Sequence, residues 1–210
     1  MSVEDIPQAN EIDRECFPAQ WPPLSYKREI LSGTSAHYFV ACNTEEPLDP
    51  SGKGTATQKQ SSFGSFVRKM SEILSGKQAS SPNTNRRIVG LAGVWIMAEE
   101  AHLTTIGVRK AYRRQGIGEL LLIAAIILAA THNVQVLTLE VRASNIPAIT
   151  LYEKYGLSKI GIHRAYYPED GEDALVMSTH KLTSTSFQSR FEQLKQAHTQ
   201  MRGPTDCQIG

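Results

Sequence analysis

Val108-Arg-Lys-Ala-Tyr-Arg113-Arg114-Gln115-Gly116-Ile117-Gly118 is the segment that decides how this chain is read. It joins an alternating stretch, His102–Arg109, to an apolar run, Leu120–Ala130. That places it between a strand and a helix. Gly116 and Gly118 let the backbone turn tightly and come close to a ligand. The N–H groups that open the helix lack intrahelical acceptors, and the helix dipole adds partial positive charge there. Arg113 and Arg114 supply full charges, so the junction suits phosphate oxygens, and a pyrophosphate in particular. Two commoner phosphate loops are excluded. There is no G-x-x-x-x-G-K-[ST], and Leu121 stands where a dinucleotide-binding loop needs its third glycine. A plain structural turn is the competing reading of the loop taken alone.

Working outward, Asp5–Cys16 and Ser25–Leu31 read as helices separated by Pro18, Pro22 and Pro23, and His37–Cys42 as a strand. Arg87–Met97 and His102–Arg109 read as strands joined by a tight turn at Glu99-Glu100. A helix is expected from Gly118 to Thr131, a strand over Gln135–Val141, and a helix over Pro147–Tyr155 that Gly156 ends. Strands over Leu157–Tyr167 and Asp173–Leu182 close the pattern around the turn Pro168-Glu-Asp-Gly. This order predicts an α/β (α+β) fold with a mixed sheet, not a barrel or bundle.

The 210 residues carry 22 Lys+Arg against 21 Asp+Glu, a net charge of +1. Bulk charge therefore does not mark a nucleic-acid or membrane-surface binder. Three cysteines (Cys16, Cys42, Cys207) in no C-x-x-C pair argue against a disulfide framework or a zinc cluster and for a reducing compartment. The expectation is no metal, no signal peptide, no membrane span and a cytoplasmic location.

The 40% hydrophobic content averages unlike parts. Residues 44–87 hold 12 Ser or Thr and 9 hydrophobics, and read as a low-complexity, largely disordered insertion. Inside it, Phe63, Phe66, Val67, Met70, Ile73 and Leu74 have helical spacing. Residues 183–210 read as a helical tail, with Phe187, Phe191, Leu194 and Met201 on one stripe. What remains is a domain over residues 1–182, interrupted by the insertion.

Arg113-x-x-Gly116-x-Gly118, in its strand–loop–helix setting, resembles the GNAT acetyltransferases, which bind acetyl-coenzyme A at such a loop. The similarity continues through Leu139-Glu140-Val-Arg-Ala-Ser-Asn145, Ala148-Ile-Thr-Leu-Tyr152-Glu-Lys-Tyr-Gly156-Leu and Tyr166-Tyr-Pro-Glu-Asp-Gly171-Glu-Asp-Ala. There the chain resembles the RimI subfamily, which acetylates the N-terminal alanine of a small-subunit ribosomal protein. The resemblance implies a GNAT fold, acetyl-CoA as co-substrate and a protein N-terminus as acceptor; no direct nucleic-acid binding is expected. It implies Glu140 as general base, Tyr152 as general acid toward the leaving thiolate, and Asn145 as a coenzyme A contact. Ile106, Gly107 and Val108 are expected to hold the pantetheine arm through their backbone. Arg113, Arg114, Gln115, Gly116, Ile117, Gly118 and Glu119 are expected to hold the pyrophosphate.

Strand alternation independently puts Leu137, Leu139 and Val141 on one face and Thr138, Glu140 and Arg142 on the other. Arg142 is thus a competing ion-pair partner for Glu140, and Tyr155 competes with Tyr152. Tyr166, Tyr167 and Trp21 are candidates to line the substrate groove. His102 and His163 read as strand residues without chemical duty. With no cysteine in the motifs, direct transfer in a ternary complex is expected.

Three features depart from the family pattern: no strand before the first helix, an unusually apolar Glu119–Ala130 helix, and the insertion. Acetylation of lysine side chains or polyamines, and a non-catalytic acyl-CoA-binding module, are the alternatives. The pairing of Glu140 with Tyr152 counts against the second.

Overall fold

The sheet follows from strand periodicity. In this computed structural model, which describes residues 1–17, 25–31, 35–47 and 86–203, six strands form. They are β1 (Ala36–Pro47), β2 (Arg86–Met97), β3 (Glu100–Val108), β4 (Val136–Arg142), β5 (Leu157–Tyr167) and β6 (Glu172–Thr179). Their spatial order is β1-β2-β3-β4-β6-β5. The near-continuous apolar run of β2 fits a strand buried on both faces: Ala92 and Val94 join one core, Ile88 and Leu91 the other.

Among the described residues five helices flank the sheet: α1 (Ile6–Cys16), α2 (Tyr26–Leu31), α3 (Ile117–Thr131), α4 (Ile146–Lys154) and α5 (Thr185–Arg202). Ala9 and Ile12 of α1 and Tyr26 of α2 build the smaller core, and α3 supplies much of the larger one. The apolar surplus of α3 is accounted for within the chain. Eight of its residues are buried, and Phe187, Phe191 and Leu194 of α5 pack on the same core that its sheet face enters. Met201, on the same predicted stripe, is exposed. Ser184 caps α5 by accepting from the Phe187 N–H (3.3 Å).

Several boundaries differ from those expected. The β2–β3 turn falls at Ala98-Glu99, with Ala98 at φ +41°, and β3 resumes at Glu100. β6 stops at Thr179, short of Leu182. Thr44–Pro47 and Arg86–Arg87, inside the segment read as an insertion, are strand, and Pro47 pairs with Arg86. The Phe63–Leu74 helical pattern and Trp21 lie outside the described residues. Val3–Asp5 is a 3-10 turn, and among the described residues no strand precedes α1. No helix among the described residues is long and apolar enough to cross a membrane.

One junction shapes the site. All neighbouring strands are antiparallel except β3 and β4, which pair in parallel at three positions only: Glu100↔Val136, Ala101↔Leu137 and His102↔Thr138. Beyond His102, β3 runs on along β2 to Val108 while β4 runs along β6 to Arg142. The two strands part, and the sheet opens a seam between them.

Candidate active site

The anion loop occupies the end of β3. Gly116 caps α3 at φ +83°, a conformation glycine adopts without a Cβ penalty. The first helical bond runs from the Leu120 N–H to Gly116 O (2.9 Å). The N–H groups of Ile117, Gly118 and Glu119 are therefore left at the positive end of the helix. Gly118 is not demanded by the protein's own packing: a Cβ there would meet only Val108 Cγ2, at 3.8 Å. The space over that turn fits a closely pressed ligand such as a phosphate.

The side chains of the loop are mostly committed elsewhere. Arg113 Nε donates to Val108 O (3.1 Å) and Gln115 Nε2 to Ala111 O (3.3 Å). Arg114 sits at φ +64°. Glu119 accepts from Lys154 Nζ (2.6 Å) and the Tyr155 hydroxyl (2.7 Å). Burial works against its ionisation, but those bonds hold its carboxyl below the usual range. Glu119 thus ties α3 to α4, and only its backbone is left for a ligand. From the other side, His198 of α5 is buried and its Nε2 lies 3.1 Å from Gly116 O.

Gly107 lies where α1 presses on β3. A Cβ there would meet Cys16 Sγ and Phe17, both at 3.3 Å, so α1 makes the close approach. The Cys16 thiol donates to Val108 O (3.4 Å). A cysteine remote from the motifs in sequence therefore lies against the strand expected to hold the thioester. Burial pushes its thiol up, against the pull of Arg113, which keeps it protonated and a poor nucleophile.

Glu140 lies on β4 beside the seam, while Leu137, Leu139 and Val141 are buried on the opposite face as alternation predicts. Its expected competitor does not touch it. Arg142 instead bonds Glu169, Asp170 (2.8 Å) and Glu172 (2.8 Å), with its guanidinium 3.8 Å from the centre of the Tyr167 ring. These contacts pin the β5–β6 turn. Glu140 faces His102 (3.0 Å) and His163 (3.8 Å). Neither histidine is marked by its local sequence: His102 meets Glu140 through the β3–β4 register and His163 through the β4–β6–β5 order. The useful signal was the parity of Thr138 and Glu140. Among the described residues no group of three His, Cys, Asp or Glu side chains is arranged to hold a metal ion.

Tyr152, on α4, is buried. Burial, and then the neighbouring Tyr167, push its phenol well above the ordinary range, so it keeps its proton. Its hydroxyl has no hydrogen-bond partner among the described residues, whereas that of Tyr155 is spent on Glu119. Asn145 caps α4, accepting from the Ala148 N–H (3.3 Å). Tyr166 is half exposed, stacks on His163 and meets Tyr167 edge to face. Burial and then Glu140 raise its phenol.

This arrangement presents a cradle for a phosphate-bearing ligand, a seam in the sheet, a carboxylate beside the seam and a protonated, unpartnered phenol. Residues 79–157 match the acetyltransferase (GNAT) family. Over 177 residues, 84% of this chain and 90% of the relative, the chain is 30% identical to a protein of Bacillus subtilis (strain 168) assigned as a ribosomal protein bS18-alanine N-acetyltransferase. It is 43% identical over 96 residues to the Escherichia coli (strain K12) ribosomal protein bS18-alanine N-acetyltransferase, covering 45% of this chain and 65% of that one. The crystal structure of the Escherichia coli ribosomal-protein-S18-alanine N-acetyltransferase superposes with a TM-score of 0.54 at 26% identity, covering 88% of this chain and 92% of that chain. The seam, the loop and the likeness over most of the chain agree: this protein belongs to the GNAT family and is an N-acetyltransferase with the GNAT fold.

Proposed function

We propose that the enzyme acetylates the α-amine at a protein N-terminus, with an N-terminal alanine of a ribosomal protein as the acceptor that the names of its relatives suggest. Acetyl-CoA, when bound, supplies the acetyl thioester. The N–H groups of Ile117, Gly118 and Glu119 would hold its pyrophosphate, with Arg113 and Arg114 nearby. The edge of β3 that faces the seam, through Ile106, Gly107 and Val108, would hold its arm. The single observation that carries the reading is the placement of Glu140 beside the seam, while the one plausible ion-pair partner on its strand, Arg142, is bound elsewhere.

An α-amine has a pKa of about 7.7–8.0 against about 10.4 for lysine, so a carboxylate assisted by its neighbours suffices to free its lone pair. Glu140 accepts that proton. The freed amine would form the N–C bond as the C–S bond breaks; Tyr152 would give its phenolic proton to the departing thiolate and be reprotonated through solvent by the second proton the amine nitrogen sheds. Tyr166 and Tyr167 border the acceptor groove, and Arg142 holds the turn behind them.

The test is incubation with acetyl-CoA and peptides that differ only in residue one, read by mass spectrometry. Acetyl on the α-amine of Ala-initiated peptides, lost in Glu140→Gln, is the expected result. Acetyl on internal lysines or polyamines alone would overturn it.

A further inference from the structure

Thr105 of β3 is only 6% exposed, and its hydroxyl has no hydrogen-bond partner among the described residues. A buried hydroxyl is costly unless something pairs with it. Its counterparts nearby are committed: the Thr104 hydroxyl donates to Gly93 O (3.1 Å) and the Thr138 hydroxyl to Glu100.

Strand register fixes the side on which Thr105 stands. On β1, Ala36 and Tyr38 share the face packed with α1 and α2. Ala36 pairs with Trp95, Trp95 with His102, and His102 with Thr138. Glu140, two residues past Thr138, is therefore on that face. Tyr38 pairs with Gly93, and Gly93 with Thr105, so Thr105 is on it too. Plain alternation from His102 would have put Thr105 on the opposite face, with Leu103. A bulge changes the count: Leu103 pairs with Val94 and Thr105 with Gly93, which leaves Thr104 between them without a β2 partner. Thr105 thus stands on the β3 wall of the seam and Glu140 on the β4 wall, both past the last parallel pair, His102↔Thr138. The methyl carbon of Thr105 lies over Gly93, and Cys16 and Phe17 cover Gly107 farther along the same face.

We propose that the Thr105 hydroxyl binds the first residue of the acceptor, its oxygen accepting an N–H of the α-amine. This rests on the reading of Glu140 as the base for that amine. The chemistry matches. The ammonium and the neutral amine it becomes both have N–H groups to give, and a hydroxyl oxygen has lone pairs to take one. Glu140 removes one proton from the β4 side. Thr105 holds a second N–H from the β3 side and so aims the nitrogen lone pair at the thioester carbon. The hydroxyl keeps its own proton, and no bond is made or broken at Thr105. The bulge is what brings this group to the side from which Glu140 works.

The experiment compares full-length wild type, Thr105→Val and Thr105→Ser in thermal melts without substrates and in steady-state kinetics with an Ala-initiated peptide. Valine keeps the shape and removes the hydroxyl. A hydroxyl that pairs with nothing in the free fold is lost without penalty, so Thr105→Val melts at or above wild type. Its KM for the peptide rises about tenfold, while KM for acetyl-CoA is unchanged. Thr105→Ser retains the hydroxyl and keeps the peptide KM within about threefold of wild type. A lower melting temperature in Thr105→Val would assign the hydroxyl to the free fold, through a buried water. An unmoved peptide KM, or a rise confined to acetyl-CoA, would detach it from the acceptor. Each of these overturns the proposal and leaves acetylation of Ala-initiated α-amines standing. If wild type does not acetylate such peptides, the reading of the acceptor fails, and the proposal falls with it.

Discussion

At the scale of single residues, the site separates two tyrosines that local sequence cannot. Tyr152 and Tyr155 both lie at the end of the same helical pattern, and both are buried. What differs is the fate of the hydroxyl. That of Tyr155 donates to Glu119, a carboxylate that also binds Lys154, and its ring meets Phe191 edge to face. It is part of the joint between α3, α4 and α5. The hydroxyl of Tyr152 is uncommitted, and burial keeps it protonated. Replacing each by Phe should therefore give opposite signatures. Tyr152→Phe should cut kcat about 10²-fold, as expected for loss of a general acid, with little change in melting temperature. Tyr155→Phe should leave kcat within a few-fold but lower stability by about 1–2 kcal/mol, because it strips a donor from a partly buried carboxylate. Steady-state kinetics together with thermal melts on both variants check this, and a loss of kcat confined to Tyr155→Phe would exchange their roles.

At the scale of elements, the apolar character of α3 and the tail helix explain each other. A helix apolar on all sides needs cover on all sides. The sheet supplies one half, and Phe187, Phe191 and Leu194 contribute to the other. α5 also reaches the loop proposed to hold the cofactor. Because a carbonyl only accepts, the contact between His198 Nε2 and Gly116 O requires a proton on Nε2, and it anchors the last turns of α5 to the N-cap of α3. Arg202 lies beside the same glycine. The loop geometry that presents the Ile117, Gly118 and Glu119 N–H groups is thus braced from the tail. His198→Ala should raise KM for acetyl-CoA several-fold with kcat nearly unchanged, since it loosens binding without touching the reacting atoms. Met201→Ala, on the exposed side of the same helix, should alter neither KM nor stability by more than about 0.5 kcal/mol. Measuring both variants separates a bracing role for α5 from mere bulk.

At the scale of the whole molecule, the legible parts of the fold were those written in short-range chemistry. The alternation of β4 and the strand–loop–helix junction both stand where residues within four positions of one another decide the outcome. The parts that were not legible depend on register between distant segments. Nothing local in HLTTIGVR tells that His102 will sit across from Thr138, or that Cys16 of α1 will press on Gly107. The ends of the segment read as an insertion are a third case. Pro47 and Arg86 were given to low-complexity sequence by composition, yet they close the β1–β2 ladder. The same long-range logic holds the start of the chain to that ladder. Asp5 accepts from the Ser2 N–H (2.8 Å) and from Arg86 Nη2 (2.9 Å), joining the turn before α1 to the first residue of β2. Burial alone would raise the Asp5 carboxyl, but the bonds from Ser2 and Arg86 outweigh it and the pKa is depressed. A carboxyl whose pKa is lower folded than unfolded contributes stability above its unfolded value, about 3.9, and loses it as pH falls through the folded one. Asp5→Asn should therefore melt at a lower temperature than wild type at pH 7, and the gap should shrink steadily below about pH 4. Thermal melts of the two proteins between pH 3 and 7 check this. A gap that stays constant with pH would assign the loss to packing, and Arg86 would then hold β2 to the 3-10 turn without help from charge.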